Sequence, residues 1–370
     1  MSRTDREDSE HTRTGRREVA LQAGYHSPQV DVEVRLNTNE SPEPPPDAFV
    51  EALSIELRSI PLHRYPDREA RRLREALAAH HGVEPAQVFC ANGSNEAIQC
   101  LLLAFGGPGR PAMIFEPTYA LHSHIARLTG TPVASGLRDD AFRVDPPEVA
   151  RSVTAAAELF GRDSPAVTFL CSPNNPTGGV ETIENVRAVL GLVPGLVAVD
   201  EAYGQFAPWS ALELLDSDAR LVVLRTFSKT WAMAGLRLGY AIADPGVVAA
   251  LSNVALPYHL DALKQVAGRL ALGFTDEMRA RVAATLEERG RVAAALGQLP
   301  LDVWPSDANF ILFRVRSRDG SAVWKGLLDR SVLVRDVSGW PGLEGCLRVT
   351  IGTRWENDRF LGALSEVLSG

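Results

Sequence analysis

Between residues 88 and about 245, short apolar runs rich in β-branched residues alternate with longer stretches of helical periodicity. Most of these runs are apolar throughout rather than at alternate positions, which is typical of strands covered on both faces. The pattern predicts a doubly wound α/β domain whose chemistry lies at the carboxyl ends of its strands. The predicted strands are Val88–Ala91, Ala112–Glu116, Ala166–Cys171, Leu196–Asp200, Leu221–Thr226 and Gly239–Ala243.

The N-terminal region has a different pattern. Residues 1–24 are polar, with five Arg and five acidic side chains among the first 18 positions, and they predict a disordered tail. Residues 25–46 include a proline-rich stretch and are expected to pack with a smaller second domain. Two helices are then predicted: Asp47–Ser59, with Asp47 as its N-cap, and Asp67–His81, with Gly82 as its C-cap.

The C-terminal part has the pattern of a second, α+β domain. A long helical region, about 247 to 297, precedes three further apolar runs. The sequence therefore predicts a large domain over 47–250 and a small domain over 251–370. The predicted strands of the small domain are Asn309–Val315, Val332–Arg335 and Leu347–Ile351.

Composition narrows the functional classes. The 370 residues carry 38 Lys plus Arg against 46 Asp plus Glu, a net charge of −8, which argues against nucleic acid as the main partner. No apolar run approaches the roughly 18 to 20 residues of a membrane span. The four cysteines form no CxxC pair, so they are expected to be reduced thiols of a cytoplasmic protein. No metal site is predicted, because His122 and His124 have no further ligand at a useful spacing.

Three polar clusters follow predicted strands, where the site of an α/β protein is expected. They are Ser172–Gly178, Asp200–Tyr203, and Arg225–Lys229 with the nearby Arg237. Taken singly, each has an ordinary interpretation as a turn, a helix cap or an exposed lysine. Together they supply what a pyridoxal phosphate (PLP) enzyme requires: a lysine for the Schiff base, a buried carboxylate for the ring nitrogen, and hydroxyls with an arginine for the phosphate.

The chain resembles the class II aminotransferases of PLP-dependent fold type I, and most closely the histidinol-phosphate aminotransferases. The resemblance extends from about Tyr25 to the C-terminus. The matching segments are LNTNESP (36–42), RYPD (64–67), ANGSNEAI (91–98), PTY (117–119), SPNNPTG (172–178), VDEAYGQF (199–206), RTFSKTWAMAGLRLGY (225–240), PSDANFILF (305–313) and LRVTIGT (347–353).

The resemblance implies roles for the cofactor site. Lys229 forms the Schiff base and later acts as acid and base, while Asp200 pairs with the pyridine nitrogen. Asn175 and Tyr203 contact the phenolic oxygen, and Tyr119 stacks on the ring. The phosphate is held at the helix that opens with Ser94 and Asn95, and by Thr226, Ser228 and Arg237. Asn95 stands where the family commonly has Asp. Tyr65 is expected to reach the phosphate of a neighbouring subunit, which implies a homodimer with shared sites.

The substrate residues are also implied by resemblance. Arg348 stands where these enzymes hold the substrate carboxylate, and its planar fork suits that group. Arg335 is expected to help bind a substrate phosphate, although a surface salt bridge is its ordinary alternative. Tyr25, Asn39 and Tyr258 are further substrate candidates.

The expected reaction is a ping-pong transamination between histidinol phosphate and 2-oxoglutarate in histidine biosynthesis. An aromatic amino acid aminotransferase and a phosphothreonine decarboxylase share the same cofactor residues, so both remain alternatives. A non-catalytic PLP-binding regulator is disfavoured, because residues 1–24 are too short and polar for a DNA-binding domain, and Lys229 and Asp200 are both present.

Overall fold

A computed structural model describes residues 28–316 and 318–369 of the chain. The predicted disordered tail and Tyr25 lie outside the described residues. Among the helices that the model describes, none is long and apolar enough to span a membrane.

The strands are β1 (Val34–Leu36), β2 (Val88–Ala91), β3 (Ala112–Glu116), β4 (Val133–Leu137), β5 (Val167–Cys171), β6 (Leu196–Asp200), β7 (Leu221–Thr226), β8 (Gly239–Ala243), β9 (Leu301–Val303), β10 (Phe310–Val315), β11 (Val332–Asp336) and β12 (Cys346–Thr350). The α-helices are α1 (Asp47–Leu57), α2 (Arg71–His81), α3 (Ser94–Phe105), α4 (Leu121–Leu128), α5 (Pro146–Phe160), α6 (Ile183–Leu192), α7 (Pro245–Val254), α8 (Ala262–Ala271), α9 (Thr275–Leu296), α10 (Gly320–Leu328) and α11 (Arg354–Ser369).

The larger sheet has seven strands in the order β2-β8-β7-β6-β5-β3-β4. Its strands run parallel except β8, which is antiparallel to both of its neighbours. This confirms the predicted α/β class with a mainly parallel sheet. Helices cover both faces, and alternate residues of β2 join different cores: Phe89 packs with α3 and α7, and Val88 with α2 and α8. Burial on both faces explains why the strands are apolar throughout.

Six of the seven strands begin and end within one residue of their predicted bounds. Strand β4 was not predicted, because its segment VASGL is short of large apolar side chains. This strand lies at the edge of the sheet, where only Gly136 of its five residues is fully buried and Leu137 is exposed. An edge strand needs fewer apolar residues, so its pattern is weak.

The smaller sheet has five strands in the order β1-β11-β12-β10-β9. Strand β1 pairs in parallel with β11, and the other pairs are antiparallel. The N-terminal segment therefore contributes a strand to the sheet formed by the C-terminal part of the chain. A separate apolar core joins this sheet to α10, α11 and the end of α9.

The two predicted helix starts need correction. Asp47 is the first residue of α1, and Pro46 occupies the N-cap position. The second helix begins at Arg71 rather than Asp67, because the Asp67 carboxylate accepts the backbone N–H groups of Glu69 and Arg71, at 3.1 and 3.0 Å, and so stays outside the helix as a local turn. Its end at Gly82 agrees with the prediction, since Gly82 has the left-handed φ of +69°.

Helix α7 contains residue 250 and α8 follows it, yet both pack with the larger sheet. The core that contains Ala267 of α8 also contains Leu73 of α2 and Ile242 of β8, a strand of the larger sheet. The end of α9, with Val292 and Leu296, belongs to the core of the smaller sheet. We therefore propose that the division between the two domains lies within α9 rather than at residue 250.

A buried ion pair supports the loop that follows β5. Arg138 donates to Glu181 at 2.5 Å, and their side chains are 1% and 2% exposed. Arg138 also donates to the carbonyl of Phe142 at 2.9 Å, and the Glu181 N–H donates to Ser172 Oγ at 3.0 Å. The pair thus fixes both ends of the segment that contains the first polar cluster.

Replacing Arg138 with Met should lower the free energy of unfolding by about 3–5 kcal/mol, because it leaves the Glu181 carboxylate buried without its partner. Urea denaturation measures the change. Arg143→Met is the matched control: its pair with Asp139 is exposed, with 64% of the Arg143 side chain accessible, and should matter by about 1 kcal/mol or less. Equal effects of the two substitutions would contradict this interpretation.

Candidate active site

A cavity of about 340 Å³ opens at the carboxyl ends of the parallel strands, facing the smaller sheet. Strands β5, β6 and β7 are neighbours in the sheet, so the polar clusters that follow them meet at one edge. The sequence-predicted residues that line the cavity are Asn39, Ser94, Asn95, Tyr119, Asn175, Asp200, Tyr203, Thr226, Ser228, Lys229, Arg237 and Arg348.

Lys229 follows β7 and extends its amine into this cavity. Its Nζ donates a hydrogen bond to the carbonyl oxygen of Thr38 at 3.0 Å. Burial, together with the positive charges of Arg348 and Arg237, lowers the pKa of Lys229 to about 8. An amine with this pKa is partly neutral near physiological pH, which a nucleophilic lysine requires.

Asp200, the last residue of β6, is a buried carboxylate with two hydrogen-bond partners. Its Oδ2 lies 3.0 Å from Nε2 of His122, and its Oδ1 accepts the backbone N–H of Ala202 at 3.1 Å. His122 is fully buried and its ring stacks on Phe169, with centroids 4.6 Å apart. The carboxylate is therefore held in one orientation at the base of the cavity.

Two hydrogen-bonded pairs line the cavity: Tyr203 with Asn39, and Arg348 with Asn175. The Tyr203 hydroxyl accepts a hydrogen bond from Asn39 Nδ2 at 2.9 Å, and burial raises the pKa of Tyr203. Arg348 donates through Nη1 to Asn175 Oδ1 and through Nη2 to the carbonyl of Asn37 at 2.8 Å. Residues from both sheets thus contribute to one site.

The amino end of α3 forms an anion site at another part of the cavity. Gly93 occupies the N-cap position with φ +80°, and no side chain caps this helix. A Cβ at position 93 would lie 2.9 Å from Nη2 of Arg237. Arg237 in turn donates to Ser228 Oγ at 3.4 Å, beside Thr226. Backbone N–H groups, hydroxyls and a guanidinium together suit a phosphate.

A similar constraint applies to Gly239 at the start of β8. A Cβ there would lie 2.4 Å from the backbone nitrogen of Ser94, so only glycine allows this approach. Tyr119 borders the same region, with its hydroxyl 3.3 Å from Asn95 Oδ1 and its ring edge-on to His122.

Three of the predicted site residues that the structure describes do not line the cavity: Tyr65, Tyr258 and Arg335. Tyr65 is 80% exposed and stacks on Tyr258, with ring centroids 4.5 Å apart. Arg335 is half-buried and lies opposite Arg348 in the register of β11 and β12, so both side chains leave the same face of the smaller sheet. Tyr25 lies outside the described residues.

Three residues of the site were not among the sequence candidates. His122 supports Asp200, and Thr38 and Glu40 line the cavity. The spacing of His122 and His124 was considered only as a possible metal site, which the sequence does not predict. Neither periodicity nor composition indicates that this ring faces a strand-end carboxylate 78 positions away.

The sequence profile of the family "Aminotransferase class I and II" matches residues 31–364. The chain belongs to this family.

Two relatives of this aminotransferase illustrate the similarity. The histidinol-phosphate aminotransferase of Frankia casuarinae is 47% identical over 362 residues, which cover 94% of this chain and 88% of that protein. The crystal structure of the histidinol-phosphate aminotransferase from Sinorhizobium meliloti in complex with pyridoxal-5′-phosphate is 25% identical, covers 91% of each chain, and has a TM-score of 0.81.

A further solved structure, the putative histidinol-phosphate aminotransferase from Erwinia carotovora atroseptica, has a TM-score of 0.81 at 26% identity, covering 90% of this chain and 95% of that one. The enzyme is therefore a PLP-dependent aminotransferase with the fold of type I. The donor set fits this cofactor, because the cavity combines an anion site, a buried carboxylate and a lysine of lowered pKa.

Replacing His122 with Phe should preserve the ring that stacks on Phe169 but remove the hydrogen bond to Asp200. We expect kcat to fall about ten- to hundredfold, the usual value of a hydrogen bond to a charged group. His124→Phe on the same helix is the control and should have little effect. Steady-state kinetics with the cofactor in excess measures both, and equal losses would indicate a general defect of α4.

Proposed function

We propose that this aminotransferase transfers an amino group between histidinol phosphate and 2-oxoglutarate, giving imidazole acetol phosphate and glutamate, in histidine biosynthesis. The names of relatives at 47% and 43% identity support the proposal. The observation that carries it is the cross-strand pair Arg335 and Arg348, whose side chains leave the same face of the smaller sheet, with Arg348 lining the cavity. Two adjacent arginines suit a dianion such as a phosphate monoester.

The cofactor residues then have distinct tasks. Asp200 stabilises the protonated ring nitrogen, supported by His122, and Asn175 and Tyr203 hydrogen-bond the phenolic oxygen. Tyr119 packs on the ring. The phosphate is held by Ser94, Asn95, Thr226, Ser228 and Arg237.

When bound, PLP supplies an electron sink that stabilises negative charge on the reacting carbon of the amino donor. Lys229 holds the cofactor between reactions and, once free, takes the proton from that carbon at Nζ. Its lowered pKa favours this role, because a base is most effective when its pKa lies near the working pH.

The same two arginines serve both substrates in turn. Histidinol phosphate brings a phosphate and no carboxylate, whereas glutamate brings two carboxylates. Both anions present oxygen pairs that a guanidinium can bind through two N–H groups. Asn39 holds the Tyr203 hydroxyl from the side of the smaller sheet, so substrate and cofactor contacts are joined.

We further propose a homodimer with shared sites. The stacked pair Tyr65 and Tyr258 stands on the surface together with Leu62 and Leu256, which are 88% and 76% exposed. Exposed apolar groups of this size favour an interface. In the dimer Tyr65 reaches the cofactor phosphate of the partner and Tyr258 its substrate. The four buried free thiols support a reducing compartment, the cytoplasm.

The donor preference tests the substrate. The absorbance of the lysine-bound cofactor is followed while histidinol phosphate, phenylalanine or glutamate is added alone. We expect histidinol phosphate to convert the cofactor at a far lower concentration than phenylalanine, because only it carries the dianion that Arg335 and Arg348 suit. A preference for phenylalanine would instead indicate an aromatic amino acid aminotransferase. Release of carbon dioxide from phosphothreonine would indicate a decarboxylase.

Mixing two variants tests the shared site. Lys229→Ala should abolish turnover, and Tyr65→Ala should weaken cofactor binding. If each site takes Lys229 from one subunit and Tyr65 from the other, random exchange of subunits should restore about a quarter of the sites to wild type. Activity of the mixture no greater than the sum of the separate variants would argue against shared sites. Appreciable transamination by Lys229→Ala alone would contradict the catalytic role.

A further inference from the structure

Glu40 lines the cavity and has no task in the roles assigned above. The acidic residues among those lining the described cavity are Asp200 and Glu40. Asp200 is buried at the base and engaged by His122, whereas the Glu40 side chain is 42% exposed at the mouth. A substrate entering the cavity therefore passes a carboxylate that the cofactor does not use.

The backbone beside Glu40 is held next to the reacting groups. The carbonyl of Asn37 accepts from Arg348 at 2.8 Å, and the carbonyl of Thr38 accepts from Lys229 Nζ at 3.0 Å. Asn39 donates to the Tyr203 hydroxyl at 2.9 Å. The negative charge of Glu40 acts on the amine directly, since it raises the pKa of Lys229 against the lowering by burial.

The Glu40 carboxylate is oriented through one of its two oxygens. Oε2 accepts the hydroxyl of Thr38 at 2.8 Å and lies 3.6 Å from Nη2 of Arg35. Within the described residues both contacts are made by Oε2, so Oε1 can accept a hydrogen bond from a ligand. The carboxylate is thus partly pre-oriented at the mouth of the cavity.

Histidinol phosphate has three groups that a protein can recognise: an amine, a phosphate and an imidazole. The amine reacts near Lys229, and the arginines suit the phosphate. The imidazole carries an N–H donor in both its neutral and its protonated form, so a carboxylate can accept from it in either. Glutamate has no N–H donor in place of the ring, so Glu40 gains no such hydrogen bond from it, and its carboxylates are left to the arginines.

We propose that Glu40 accepts a hydrogen bond from the imidazole of the amino donor and so selects an imidazole-bearing phosphate ester over other donors. This inference rests on the proposed function. It assigns to Glu40 the recognition of the imidazole, the group of the substrate that offers an N–H donor. Glu40 acts here as a specificity-determining residue, while the transfer chemistry stays with Lys229.

The test compares two donors that share the amine and the phosphate: histidinol phosphate and 2-aminopropyl phosphate, which lacks the imidazole. The rate of cofactor conversion is measured for each with the wild type, Glu40→Gln and Glu40→Ala. Equilibrium binding of L-histidinol, measured by calorimetry, adds a readout that does not depend on turnover. We expect Glu40→Ala to reduce the preference for histidinol phosphate about tenfold, the order of one charge-assisted hydrogen bond. Glu40→Gln should lie between, since its amide oxygen still accepts.

Arg35→Gln is the matched control, because it removes the ion pair of Glu40 but keeps the carboxylate. Its donor preference should stay close to that of the wild type. The proposal is overturned if Glu40→Ala lowers the rates of both donors by the same factor, or if Arg35→Gln reproduces the loss of preference. A wild type that converts histidinol phosphate selectively while Glu40→Ala keeps the same preference refutes the role of Glu40 alone. A wild type that does not convert histidinol phosphate refutes the proposed function and this inference with it.

Discussion

Two carbonyl oxygens on consecutive residues, Asn37 and Thr38, accept hydrogen bonds from Arg348 and Lys229. The bond from Lys229 connects two parts of the molecule that have separate apolar cores, one around each sheet, and Arg348 of the smaller sheet also donates across to Asn175, which follows β5. The segment belongs to the smaller sheet through β1, and Lys229 follows the interior strand β7 of the larger one. The geometry of the site therefore depends on how this short segment joins the two sheets.

The remaining constraint is the burial of charge. Asp200, Lys229 and Arg348 lie in a region from which water is largely excluded, and an unpaired charge there would be costly. Each of these groups is held by a neutral or oppositely charged partner: His122, the Thr38 carbonyl and Asn175 respectively. The polar network limits the orientations of these side chains. Burial and the charges of Arg348 and Arg237 lower the pKa of the lysine to about 8. Preorganisation of this kind is what a transamination site requires.

The described surface carries a stacked aromatic pair that bears on the proposed dimer. Tyr65 and Tyr258 lie far apart in sequence but stack on each other outside the cavity. The backbone at Tyr258 is left-handed, with φ +58°, a strained conformation for a bulky residue. Resemblance to the aminotransferases nominated both residues for the site, yet a single chain presents them to the outside. Our proposal places both side chains in the site of a second subunit, so the proposed dimer is part of the catalytic proposal.

The sequence by itself determined the strands of the larger sheet, because burial on both faces makes their apolar runs continuous, and it determined the polar clusters at their carboxyl ends. The resemblance of its motifs to known proteins added the family and the expected role of Lys229. Tertiary structure decided what depends on contacts between distant segments: β4 at the sheet edge, the start of α2 at Arg71, His122 against Asp200, and the place of Glu40 at the mouth. Periodicity reports which face of an element is buried, but it carries no information on which side chain of another element lies opposite, and that pairing is what builds the site.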